Sequence, residues 1–155
     1  MAGMELAPLL VIVASLAVTV LMVVGVFALV GRITARLIAS LEPEGIVQRT
    51  GRQKIRVTLR GFRGAGRYAS YKLSINYGEL VLTERSFAVA AGTLLVRFDL
   101  GSLSSAEVWV EGGRLGFKSD RPSDASGTVE VRVALPDAEA WCARLVERGA
   151  RLRAA

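Results

Sequence analysis

The chain has 155 residues, is 52% hydrophobic and carries a formal charge of +6, with one cysteine and no histidine. That length holds one domain and a short appendage. Without histidine there is no Ser-His or Cys-His nucleophile pair and no His-ligated metal, and a single thiol cannot close an internal disulfide.

From Leu6 to Gly31 no residue is charged. About 20 apolar residues cross a ~30 Å hydrocarbon core as a helix, so this stretch is long enough to span with some tilt. A cleavable leader would want a basic start and a core of about 7–15 apolar residues. Here Glu5 stands before a much longer core, which favours a retained anchor. Arg32 and Arg36 follow the span and no Lys or Arg precedes it, so the positive-inside bias leaves the N-terminus outside and the remainder in the cytoplasm. The lone thiol agrees with a reducing compartment. Arginine outnumbers lysine 17 to three with no secretory-pathway signature, which reads as a bacterial chain in the inner (cell) membrane. Ile33, Leu37, Ile38 and Leu41 continue at helical spacing until Pro43 and Gly45 stop the helix. The expected layout is a transmembrane helix with a juxtamembrane extension over 1–41, a connector over 42–45 and a β-domain over 46–155.

In KIRVTLR, Ile55, Val57 and Leu59 alternate with Lys54, Arg56, Thr58 and Arg60, the pattern of a strand buried on one face. Glycines at 61, 64 and 66 punctuate the chain, and Tyr71, Leu73 and Ile75 share a face of the next strand. Tyr77-Gly78 reads as a turn. ELVLTERSFAVAAG, TLLVRFDL, AEVWV and RLGFK supply further strands, the turn-rich segment 119–127 reads as a mobile loop, and TVEVRVAL alternates again. The C-terminal segment changes period: Ala138, Trp141, Cys142, Leu145 and Val146 form the stripe of an amphipathic helix ended by Gly149. About seven short strands must close or fold over to bury an apolar face, and one helix can cap the open end.

GELVLTERSFAV, VRFDLGSLSSAEVW and LPDAEAWCARL resemble the strand-turn-strand, strand entry and terminal helix of bacterial pleckstrin-homology-like (PH-like, GRAM-like) domains. The resemblance covers residues 46–149. It implies a mainly β fold, a small antiparallel barrel or sandwich with a C-terminal helix, and is silent on ligand.

The charge is concentrated. Residues 45–78 hold eight basic groups and no acid, while the stretches before and after them each come to −1. Within this run Arg49, Arg52, Lys54, Arg56, Arg60, Arg63 and Arg67 are the candidate anion-binding residues. At about 1 kcal/mol per cation near an anionic leaflet, four of them would orient a tethered domain. The alternatives are an acidic protein partner, nucleic acid, and a charged edge that blocks strand aggregation. Nucleic acid ranks last because the run has no recognition helix and no RNA-binding signature. The small residues Ser15, Thr19 and Gly25 allow packing against another membrane protein. Trp109, on the polar face of AEVWV, is either a partner contact or packed under the 119–127 loop. Neither carboxylate pair, Asp120 with Asp124 or Glu107 with Glu111, has a metal-loop pattern, and GFRGAG lacks the Lys-Ser/Thr of a phosphate loop. The reading is a non-enzymatic, membrane-anchored binding or scaffolding module with no cofactor.

Overall fold

The computed structural model describes residues 6–64 and 67–154; the side chains of 6, 7, 67–69, 73 and 75–77, those of Arg67, Leu73 and Ile75 among them, lie outside what is described. Helix α1 (Leu6–Ala39) runs unbroken for 34 residues, about 51 Å at 1.5 Å per residue. A single turn of 3₁₀ helix, η1 (Glu42–Glu44), follows it, carrying the proline that a longer α-helix could not accommodate. Ten strands then form one sheet: β1 (Ile46–Arg49), β2 (Gln53–Gly64), β3 (Arg67–Ala69), β4 (Lys72–Thr83), β5 (Ser86–Ala91), β6 (Leu94–Asp99), β7 (Glu107–Glu111), β8 (Arg114–Ser119), β9 (Ala125–Ala134) and β10 (Arg151–Leu152). A second 3₁₀ segment, η2 (Leu100–Ser105), joins β6 to β7, and α2 (Ala138–Glu147) precedes β10.

The main path of the sheet runs β10-β7-β8-β9-β2-β4-β5-β6, with β1 added to β4 and β3 to β2. Every described ladder is antiparallel except β10 on β7. The sheet is open, since no ladder joins β6 to the β7–β10 end among the described residues. It nevertheless folds over on itself. Phe98 of β6 and Phe117 of β8 are five steps apart along the path, yet their ring centroids are 4.9 Å apart, and Phe87 of β5 lies 4.8 Å from Phe117. These rings centre an inner core shared by β2, β4–β9 and the buried side of α2, where Trp141 and Leu145 are fully covered.

Three local expectations change. The chain does not break at Gly61: β2 continues to Gly64 through a bulge, in which Arg60 pairs with Thr128 and Arg63 with Ser126, leaving one extra residue on β2. Gly61 adopts φ +58°, a conformation that suits glycine, and the extra residue reverses the alternation. Phe62 therefore turns inward and Arg63 outward, where an unbroken strand would have buried the arginine. Nor does Tyr77-Gly78 form a turn. β4 passes straight through it, because Gly78 is paired on both sides, with Gln53 and with Ala91. Finally, β8 and β9 claim both ends of the 119–127 segment. What remains is a connection over 120–124 held to the outer edge of β6: the Ser123 N–H donates to the Arg97 carbonyl at 2.7 Å, and the Asp99 N–H donates to Ser123 Oγ at 2.7 Å. Three of the ten strands (β1, β3 and β10) have four residues or fewer, which accounts for the count above seven.

A second, smaller core lies on the opposite face of the sheet. Ile38 and Leu41 at the end of α1 pack with Val81 of β4 and Ala88 and Ala90 of β5, with Ile46 and Leu95 at its margin. Residues 8–29 of α1 are exposed on every side, and burial begins at Val30. The helix is thus bare for about 33 Å, the thickness of a bilayer core, and docked beyond it.

Candidate functional site

The docking of α1 sets the geometry. The Thr34 hydroxyl donates to the Gly92 carbonyl at 2.9 Å, and the Glu84 N–H donates to the Gly45 carbonyl at 2.9 Å. Gly31 and Thr34 share a small cavity with Gly78 and Glu79, and Glu44 reaches Thr83 and Ser86. As α1 and η1 advance from Gly31 to Gly45, the adjoining chain therefore advances from Gly78 of β4 to Glu84 just beyond its end. The two run parallel. The earlier half of β4, and the β2–β3 hairpin paired with it, consequently lie on the side from which the apolar length of α1 arrives.

The junction is locked by two carboxylates, Glu44 partly buried and Glu79 buried. Glu44 Oε2 accepts from Ser86 Oγ (2.6 Å) and Thr83 Oγ1 (3.0 Å), and Oε1 accepts from the Arg97 guanidinium. Burial alone would raise this carboxyl, but the two hydroxyls and the Arg97 charge outweigh it and hold it below its ordinary value. Glu79, almost fully buried, accepts from Arg49 through Nε at 2.6 Å and Nη2 at 3.2 Å. That hydrogen bond raises the Arg49 guanidinium further above its already high value.

The seven candidate cations therefore divide. Arg49 belongs to the junction, with its charge met by Glu79. Arg52 stands beside α1, its Nη2 approaching Gly31. Lys54, Arg56, Arg60 and Arg63 are exposed on β2, opposite the fully buried Ile55, Val57 and Leu59. Arg67 has its backbone in β3. Strand pairing adds two cations that the sequence did not single out. Arg56 is directly opposite Arg132 of β9, and Thr58 is opposite Lys72 of β4. Together Arg56, Thr58, Arg60, Lys72, Ser74, Glu130 and Arg132 line a basin of about 410 Å³ on the outer face of the sheet. Outward alternation exposes Arg132 and Lys72 to inspection, but only register reveals that they flank β2.

Trp109 is elsewhere. Its indole lies on Gly116, whose missing side chain makes the contact possible: a Cβ there would fall 2.1 Å from the ring. The guanidinium carbons of Arg153 and Arg132 lie 5.0 Å and 5.7 Å from the ring centroid. Trp109 borders a groove of about 1180 Å³ between α2 and the C-terminal strand, along with Cys142, Val146 and Leu152. Cys142 is buried, and burial pushes its thiol up. Val146, expected on the buried stripe of α2, is exposed at the groove because the inner core ends at Leu145. Among the described residues no three Cys, Asp or Glu side chains converge as a metal site. Compared with known proteins, the chain matches no family model and no curated protein.

Proposed function

We propose that this chain is a single-pass membrane protein whose PH-like domain stands on the cytoplasmic side of a bacterial cell membrane and rests its basic face on anionic headgroups of that same membrane. It acts as a non-catalytic binding or scaffolding module. The observation that carries this is the parallel run of α1 with the second half of β4, which directs the acid-free hairpin toward the bilayer end of the junction. Retention of the apolar helix is supported by its other end: Thr34, Ile38 and Leu41 are buried against the domain, and a cleaved leader would take part of that core with it. The cytoplasmic side follows from Arg32 and Arg36 just beyond the bare segment. The PH-like reading is supported by seven longer strands folded over one core, with a helix after the last of them.

The test uses the full chain in nanodiscs, because α1 supplies part of the domain's packing. A spin label at residue 71, in a Cys142→Ala background, reports depth by collision with oxygen and with a soluble nickel chelate. Anionic lipid should draw the label to the surface, and Lys54→Glu, Arg56→Glu and Arg60→Glu together should abolish the shift. Equal collision rates in neutral and anionic discs would overturn the reading.

A further inference from the structure

We propose that the outer face of β4, β2 and β9 holds a discrete oxyanion site, formed by Arg56, Arg60, Lys72 and Arg132, that takes a phosphate monoester dianion. This rests on the headgroup reading only for its lipid source; the site itself stands on register. Arg56 and Arg132 are direct cross-strand partners. Such partners hold their Cβ atoms about 5 Å apart, and like charges there destabilise a sheet. Lys72 reaches the same basin from β4, opposite Thr58, and Arg60 lies two outward positions along β2 from Arg56. The fold relieves little of this repulsion. Arg132 is met by Glu130, which accepts from its Nε at 2.9 Å, and at longer range by Glu111, 3.9 Å from its Nη1, whereas Arg56, Arg60 and Lys72 have no acidic partner among the described residues. The basin thus presents four cations against one carboxylate, with the Thr58 and Ser74 hydroxyls on its walls. Guanidinium forks from two strands and adjacent hydroxyls suit the several acceptor oxygens of a tetrahedral phosphate. A doubly charged monoester also answers the excess charge better than a singly charged diester.

The full chain in neutral nanodiscs is titrated calorimetrically with inorganic phosphate, against chloride at equal ionic strength. One phosphate should bind per chain. Arg56→Gln and Arg132→Gln should each weaken it about tenfold or more, while Arg114→Gln, which removes the same charge at the first residue of β8 and outside the basin, should leave it unchanged. Arg56→Gln should melt no lower than the parent, since it removes a like-charged neighbour, so its loss of binding would not reflect unfolding. Discs containing phosphatidic acid or phosphatidylglycerol at matched surface charge then identify the source. Tighter seating on phosphatidic acid assigns a lipid phosphate, and equal seating alongside saturable free phosphate assigns a soluble one. Phosphate indistinguishable from chloride, or Arg114→Gln as damaging as Arg56→Gln, overturns the site. The headgroup reading fails separately, when label depth ignores anionic lipid altogether.

Discussion

Strands β5 and β2 lie in the same sheet with β4 between them, and their outer faces differ completely. All six residues of β5 are buried: Phe87, Val89 and Ala91 enter the inner core, while Ala88 and Ala90 lie beneath α1. In β2 only the inner face is buried, and Lys54, Arg56 and Arg60 face outward. Small side chains let a helix approach a sheet closely, whereas a row of cations keeps protein off and leaves the face to solvent or to anions. One sheet is therefore divided into a half that holds the long apolar helix and a half that stays open beside it.

The comparison can be strained in order of expected cost. Phe117→Ala empties the centre of the inner core and should cost about 4 kcal/mol in denaturant unfolding of the full chain in mild detergent. Leu41→Ala, in the thinner core under α1, should cost about 3 kcal/mol. It should lower the same single transition, because helix end and sheet share side chains; a separate early step would show that the two regions unfold independently. Glu44→Ala should cost about 2 kcal/mol by stranding the Thr83 and Ser86 hydroxyls and Arg97. Its pH dependence has a definite sign. The folded carboxyl lies below its ordinary value of 4.5, so as pH falls the unfolded chain takes up the proton first. The parent's advantage over the variant is complete above about pH 4.5 and shrinks as pH drops through the folded value; denaturation series at successive pH values measure this. Smallest of all, Lys54→Glu, Arg56→Glu and Arg60→Glu should each change stability by less than about 0.5 kcal/mol, since these side chains are exposed. Thermal melts of the variants would expose any hidden structural role for the open face.

These two halves were unequally legible. KIRVTLR shows its buried face by alternation alone, and Ile55, Val57 and Leu59 are fully covered as that pattern demands. The Ala138–Leu145 stripe likewise appears where its helical spacing places it. Gly61 and Gly78 misled because glycine is compatible with a turn, a bulge or a close pairing, and neighbouring strands decide which one occurs. The covering of Ala88 and Ala90 was hidden for a related reason: FAVAA looks the same whether a helix lies on it or not.

Local spacing by itself determined the long apolar helix, the strand-rich remainder, the terminal helix and the concentration of positive charge over 45–78. Those features follow from side-chain period and composition, which are properties of near neighbours in the chain. Tertiary structure alone decided that α1 ends inside a second core, that Arg49 is taken up by Glu79 while Arg56 meets Arg132, and that Lys72 joins them. Each depends on contacts between residues from 14 to 76 positions apart, set by strand register, and a shift of one residue in register would turn every one of those side chains to the other face.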